Sequence, residues 1–209
     1  MKRTLFLIVI AIALQLFIII PVSAELIVDT GPVASDSSGY GITYGQFDQG
    51  VQWQYVAAQF SLSRPCTVTN VQGWIGSIDA GNADFVIYTN SGDNLPGTQL
   101  YRQSLFINKT YDDITNKLNA GWYGPSGLTL NLPAGTYWVA FETKDHFFYG
   151  AMPHPSPNHL IKEAVYGKDT LANPPYDPGW LAAALNLGVR IYGKVNAVPI
   201  PGSLFLLLD

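Results

Sequence analysis

Two pairs of aromatic residues stand in segments that are rich in glycine and proline. Trp122 and Tyr123 directly precede a Gly-Pro pair, and Tyr176 and Trp180 enclose an Asp-Pro-Gly turn. Flat aromatic rings with a polar edge can stack on sugar rings, and loops on a rigid scaffold are where binding residues concentrate. The pattern therefore predicts a carbohydrate site formed by these four loop residues.

The competing interpretation is that large aromatic side chains fill the core or cover its ends. We favour it for Trp74 and Trp138, because both lie within strand patterns. For the four loop aromatics both interpretations stay open.

Catalytic patterns are weak along the chain. Ser126 lacks the Gly-x-Ser-x-Gly spacing of a nucleophile elbow. Glu142 could join a second strand carboxylate to cleave glycosides, although a solvent-facing glutamate on a strand is the ordinary alternative. No phosphate-cradling glycine loop or cofactor motif is present. The sequence thus predicts a protein that is not an enzyme and has no organic cofactor, with a glycan-active hydrolase as the less favoured alternative.

Metal ligands are also sparse. The histidines, His146, His154 and His159, are too widely spaced for a zinc site. Calcium is the ion that the sequence leaves open, because oxygen-bearing side chains recur in two turns, although such residues usually bond their own backbone there. The two sets are Asp79, Asn82 and Asp84, and Asn90, Asp93 and Asn94. The single cysteine, Cys66, cannot form an intramolecular disulfide and is predicted to be buried.

The first 24 residues have the order of a secretory signal peptide: a basic start, an apolar run and a small-residue end. Cleavage is expected between Ala24 and Glu25, and an uncleaved anchor is the alternative. This segment holds two of the 11 Lys+Arg and none of the 15 Asp+Glu, so the mature chain has a formal net charge of −6. Without a basic stripe, nucleic acid is excluded as an expected partner.

The elements that would position these residues are strands. Apolar and polar residues alternate, and β-branched and aromatic residues are concentrated, in several runs bounded by glycine and proline. These runs cover residues 52–62, 67–78, 84–89, 99–107, 127–132, 132–142 and 188–193. They predict an all-β fold, an antiparallel β-sandwich of jelly-roll type, over residues 25–195, preceded by the signal helix.

Within this scheme, Tyr137, Val139 and Phe141 share one face of a strand, and Trp138, Ala140 and Glu142 share the other. The final strand is predicted to pair with this one. Residues 152–179 contain six prolines and are predicted as a long ordered loop, and residues 181–185 as one helical turn.

Residues 196–209 carry a tail with the order Val198–Pro199–Ile200–Pro201, a small residue and a leucine run. This tail resembles the beginning of the PEP-CTERM sorting signal of Gram-negative bacteria. In that family a membrane-spanning helix and a basic cluster follow the motif, and an exosortase-type protease is thought to process it. Here the apolar run is five residues long and the basic cluster is missing, so the resemblance is to an incomplete signal.

The strand-and-turn segments also resemble the β-sandwich bodies found in such exported proteins. The resemblance implies an exported protein, located in the periplasm, on the outer surface or in the extracellular matrix of a Gram-negative bacterium. It further implies an extracellular polysaccharide and a processing protease as partners. We therefore expect a non-enzymatic surface or matrix protein, with a carbohydrate-binding module as the alternative.

Overall fold

A computed structural model describes residues 24–31, 39–47, 50–143, 148–153, 162–169 and 176–196. In these ranges the chain is all-β and contains no helix. The predicted signal helix, the three histidines and the tail motif with Val198, Pro199 and Pro201 lie outside the described residues. These ranges contain no helix that is long and apolar enough to cross a membrane.

The strands follow one another along the chain, mostly through short turns. They are β1 (Glu25–Asp29), β2 (Gly39–Phe47), β3 (Gly50–Leu62), β4 (Cys66–Asp79), β5 (Gly81–Asn90), β6 (Pro96–Ile107), β7 (Tyr111–Asp112), β8 (Lys117–Leu118), β9 (Gly121–Tyr123), β10 (Ser126–Leu132), β11 (Gly135–Glu142), β12 (Tyr149–Pro153), β13 (Glu163–Asp169), β14 (Tyr176–Ala183) and β15 (Val189–Val195).

All strand pairs are antiparallel. The main path across the sheet is β1-β15-β4-β12-β2-β3-β11-β5-β6. In addition, β9 and β10 pair with β4, β13 pairs with β3, and β14 pairs with β13, whereas β7 and β8 form a separate hairpin. The strands predicted at residues 84–89 and 99–107 are confirmed as β5 and β6, which pair as a hairpin.

The two longest strands make the sheet curl. The first half of β4 pairs with β15 and β10, and its last residues pair with β12. Likewise, β3 pairs with β2 near its start and with β11 further along. The curl brings β4 and β15 against β3, β5 and β11, and one buried cluster contains residues from all five strands. Gly73 on β4 permits this approach, because a Cβ there would lie 2.5 Å from the Phe141 ring.

A second, smaller cluster covers the opposite face of β3, β5, β11 and β13. Its buried members are Ala57, Val86, Tyr88, Trp138, Ala140 and Ala164. The predicted alternation of β11 is confirmed: Tyr137, Val139 and Phe141 face the larger cluster, and Trp138 and Ala140 face the smaller one. Trp138 is fully buried, as predicted for a core-filling side chain.

Three local predictions are wrong. The final strand β15 pairs with β1 and β4, and not with β11. The predicted long loop contains β13 and the start of β14, which pair with each other and extend the sheet beyond β3. Residues 181–183 belong to β14 and not to a helical turn. In each case pairing with another strand overrides the weak local signal.

Candidate functional site

The four sequence-predicted binding aromatics lie in strands and not in loops. Trp122 and Tyr123 belong to β9, which pairs with β4, and Tyr176 and Trp180 belong to β14, which pairs with β13. The structure therefore does not bring the two pairs together into one site. Trp122 lies against Arg190, and Trp180 packs beside Tyr88, which contacts Arg102; these two surroundings are described in turn. The side chain of Tyr176 is not among those described.

The first surrounding is a buried polar group, the Arg102 cluster, in which one guanidinium bridges two carboxylates. Arg102 lies 2.5 Å from an oxygen of Asp84 and 2.5 Å from an oxygen of Glu142. The Tyr88 hydroxyl donates to the other Glu142 oxygen at 2.5 Å, and the Ser104 hydroxyl donates to Asp84. Asp84 is 6% exposed and Glu142 is 1% exposed, so the two carboxylates share one arginine inside the protein and their other oxygens are met by hydroxyl donors.

Strand register assembles this cluster from three strands. Glu142 on β11 is paired with Asp84 on β5, and Asp84 is paired with Ser104 on β6. Arg102 lies two residues before Ser104 and therefore points to the same face. Alternation thus places all the polar side chains on the face of the smaller buried cluster.

Small residues next to the Arg102 cluster leave room for aromatic side chains to lie across the sheet. The neighbouring positions Ala57, Val86, Ala140 and Ala164 have 0% exposure although none has a long side chain. Three aromatic rings pack beside them: the Trp180 ring centroid lies 6.2 Å from that of Tyr88 and 5.6 Å from that of Tyr166. Trp180 therefore serves as a partial cover of the Arg102 cluster, and its predicted loop location is wrong.

Burial and the nearby carboxylate change the acidity of two tyrosines. Desolvation, followed by the charge of Glu142, raises the pKa of Tyr88 above its usual range, and the same causes raise the pKa of Tyr55. Burial acts to lower the pKa of Arg102, but the charges of Glu142 and Asp84 outweigh it and raise that pKa. The tyrosines thus remain neutral donors, and the arginine remains charged.

This geometry suits charge compensation better than proton transfer. Glu142 was the carboxylate considered for glycoside cleavage, and Asp84 is its neighbour across the strand pair. Every oxygen of the two carboxylates accepts a hydrogen bond from Arg102, Tyr88 or Ser104. A general acid or base needs access to the substrate proton, and these oxygens face protein donors instead.

The second surrounding, the Trp122 surface, consists of Asp29, Trp74, Trp122 and Arg190. The Arg190 guanidinium carbon lies 4.1 Å from the Trp122 ring centroid, within cation–π range. The Trp74 and Trp122 rings meet edge to face with centroids 5.2 Å apart. Asp29 fixes the arginine through an ion pair of 3.1 Å. Both tryptophans are partly exposed, so this surface offers aromatic area to a ligand.

Tyr123 does not contribute to the Trp122 surface. It packs against the larger buried cluster, because adjacent residues of a strand point to opposite faces. Among the four predicted aromatics, only Trp122 therefore presents its ring on the partly open face of β4, β9 and β15.

One member of each predicted calcium set is engaged in other contacts. Both oxygens of Asp84 are used within the Arg102 cluster. The side-chain oxygen of Asn90 accepts hydrogen bonds from Trp138 and Gln59. Across the described ranges, no group of three or more His, Cys, Asp or Glu side chains is placed to hold a metal ion. Calcium binding thus finds no support in these contacts.

Two further residues from the sequence analysis, Cys66 and Ser126, lie in strands. Cys66 is buried as predicted, at 1% exposure, and burial raises the pKa of its thiol. Ser126 begins β10 and is exposed.

Sequence reasoning missed Glu163, which is 5% exposed at the start of β13. Its carboxylate accepts backbone N–H bonds from Leu185, Asn186 and Leu187, at 2.6, 2.7 and 2.6 Å. The segment after β14 thus wraps around one buried charge, with Asn186 in a left-handed conformation at φ 57°. A glutamate in a proline-rich region carries no local signal of such a role.

The fold and these contacts define an all-β protein with one closed ionic cluster and one partly open aromatic surface. Comparison of the chain with protein-family models, characterised proteins and solved structures finds no match. The function must therefore be argued from the chain's own residues.

Proposed function

We propose that this is an exported protein of the bacterial cell surface or extracellular matrix, and that it acts by binding and assembly and not by catalysis. The observation that carries the proposal is the Arg102 cluster, in which the carboxylates brought together by the fold are bound to one partly buried arginine. Export is supported by the sequence order of residues 1–24, and location outside the cell by the resemblance of the tail.

We further propose that the curled sheet is a β-sandwich of jelly-roll type. The supporting contacts are those between two sets of strands: β4 and β15 supply Val71 and Ile191 to the larger cluster, and β3 and β11 supply Phe60 and Phe141. Gly73 beneath the Phe141 ring fits two layers in close contact.

Export is tested by expressing the full chain in a Gram-negative host and recovering it from the separated cell fractions. Intact mass and N-terminal sequencing then read both ends of the chain. We expect a product that begins at Glu25 and is found outside the cytoplasm. A chain that keeps residues 1–24 and stays with the cytoplasm would contradict the proposal.

The same mass measurement tests the tail. An exosortase-type protease acting near Val198, Pro199 and Pro201 would remove the last residues in a host that has such a protease. Co-expression with and without the protease is the matched comparison. An identical C-terminus in both strains would show that the tail is not a substrate.

The second candidate function is carbohydrate binding, with an extracellular polysaccharide as the ligand. The Trp122 surface favours it, because a partly exposed ring is held between Arg190 and Trp74. Aromatic rings provide stacking area, and an arginine provides hydrogen-bond donors for sugar hydroxyls or carboxylates.

The test is a titration of tryptophan fluorescence with a panel of bacterial exopolysaccharides, with and without calcium. Trp122→Ala should remove a saturable signal, whereas Trp180→Ala, at the other cluster, should leave binding within about twofold. Equal loss in both variants, or a flat response of the unmodified protein to every polysaccharide, would remove this candidate.

A further inference from the structure

The last strand of the sheet, β6, has one side without a partner in the described part of the chain. It is 12 residues long and pairs only with β5. From Tyr101 to Ile107 its register against β5 is regular, from the pair Ile87–Tyr101 to the pair Gly81–Ile107. Its other side is therefore a straight row of backbone donors and acceptors that can accept another strand.

Three other strands with a free side, β1, β10 and β14, carry features that hinder such pairing. In β10 these are a register shift and Gly127 at φ 72°. β1 has five residues, a register shift and two acidic residues. β14 contains Asp177 and Pro178, followed by Gly179 at φ 72°. Charges, proline and irregular backbone are the devices by which proteins protect sheet edges.

The regular part of β6 has none of these devices. Its one charged residue is Arg102, which is neutralised by Asp84 and Glu142 within the same protein. It also presents the most exposed large hydrophobic side chain found in a described strand, Phe106 at 58%, and Leu100 precedes it at 42%.

We propose that β6 pairs with β6 of a second copy of this chain, antiparallel and about a two-fold axis, so that one sheet runs through both molecules. A second copy fits because the one charged residue of the regular segment, Arg102, is bound to Asp84 and Glu142 of its own molecule and the segment has no acidic residue or lysine that would repel an identical edge. A two-fold axis also lets the same segment serve on both sides of the interface.

The regular segment sets the expected register. Its central residue is Ser104, and an axis at that residue places Phe106 of one copy opposite Arg102 of the other, and Gln103 opposite Leu105. Residues with these pairings share a face, so the outer and inner faces of the sheet continue from one molecule to the next. Each dimer then covers two Phe106 side chains, one from each copy.

The first test is the molar mass of the full chain, after the host's own processing, by light scattering over a range of concentrations. We expect a monomer–dimer equilibrium. The double variant Gln103→Lys, Phe106→Lys places one new positive charge opposite Arg102 of the other copy and a second beside the axis, and it should weaken association at least tenfold. The matched control is Ile114→Lys, which changes a 92% exposed side chain in the turn between β7 and β8 and should leave association unchanged.

The second test does not depend on how well the lysine variants fold. Single cysteines are introduced at Gln103, Ser104 and Leu105, with Thr98→Cys as the control outside the regular segment. Paired Cα atoms at such an axis lie about 4.5–5.5 Å apart, within the range that a disulfide can span. Cys66 does not compete, because it is buried.

We expect cross-linked dimers at one position of the three and none at Thr98→Cys. A protein that stays monomeric at all concentrations, lysine variants that all associate equally, or the absence of cross-links in a dimeric protein would each overturn the proposal. The inference concerns the folded chain alone and does not rest on export or on glycan binding, so its failure would leave both of those open.

Discussion

Glu142 and Glu163 are two buried glutamates of one sheet, yet their charges are compensated by different kinds of group. Glu142 on β11 is bound by the side chains of Arg102 and Tyr88. Glu163 on β13 is bound by three backbone N–H groups of the segment that follows β14. The first arrangement contains a full positive charge, and the second contains only dipoles.

This difference determines what each site depends on. The Arg102 cluster depends on one side chain, because removing the guanidinium leaves two carboxylates buried close together. The Glu163 site depends on the carboxylate itself, because its donors are backbone N–H groups, which no substitution other than proline removes. Each site can therefore be broken by one change, and the sizes of the effects should differ.

The largest expected effect is that of Arg102→Met, which keeps the length of the side chain and removes its charge. Breaking a buried ion pair by removing one partner costs about 3–5 kcal/mol of unfolding free energy. Urea denaturation at neutral pH measures it. Arg64→Met, at an exposed arginine, is the control and should change stability by less than about 0.5 kcal/mol.

The pH dependence of that variant separates unpaired charge from lost packing. Carboxylates lose their charge on acidification, so the deficit of Arg102→Met relative to the unmodified protein should shrink as the pH falls. A deficit of the same size at both pH values would mean that the lost side-chain packing, and not the charge, explains the effect.

The next effect is that of Glu163→Gln, which keeps the shape and replaces one acceptor oxygen by a donor. At least one of the three N–H groups then faces another donor, which costs about 1–3 kcal/mol. Hydrogen exchange at Leu185, Asn186 and Leu187 should become faster. Glu25→Gln, at an exposed strand position, should leave both the stability and these exchange rates unchanged.

The strands that were predicted from sequence were those with strong local patterns. The alternation of β11 and the composition of β5 each predict a strand without knowledge of its partner. Both strands are confirmed. β13 and β14 were missed because alanine, glycine and proline carry little strand propensity. β13 pairs with β3, which is more than 100 residues away in sequence, and β14 then pairs with β13, so no local pattern predicts either strand.

For the candidate site, too, local sequence patterns identified residues but not their partners. Glu142 was singled out from sequence, but its bond to Arg102 depends on the register of β5 and β6, which sequence alone does not set. Trp122 and Tyr123 were predicted as a pair, whereas a strand at this position necessarily points them to opposite faces. The sequence identified the candidate residue types, but it did not predict which residues they contact.

A smaller effect is expected for Tyr88→Phe, which removes one donor from Glu142 but leaves Arg102 in place. The lost hydrogen bond costs about 1 kcal/mol at neutral pH. Because burial and Glu142 raise the pKa of Tyr88 in the folded state, its contribution is fully present below the unfolded pKa of about 10 and is lost as the pH rises above it.

An alkaline titration measures this contribution directly through tyrosinate absorbance. The unmodified protein should contain late-titrating tyrosines, among them Tyr88 and Tyr55, and Tyr88→Phe should contain one fewer. The variant should also lose stability less steeply above about pH 10. If Tyr88 ionised with the exposed tyrosines, the proposed closure of the Arg102 cluster would be incorrect.

The smallest effect is expected for Arg190→Gln, which tests whether burial or residue type governs the cost. Arg190 also joins an aspartate and a tryptophan, but its side chain is 26% exposed and that of Asp29 is 31% exposed. Water can replace the lost partner of Asp29, so we expect a loss of about 0.5 kcal/mol in urea denaturation. A loss as large as that of Arg102→Met would mean that the Trp122 surface holds β1, β4 and β15 together, and its value as a ligand platform would then have to be reconsidered. A small loss, together with weaker polysaccharide binding, would instead assign this arginine to recognition.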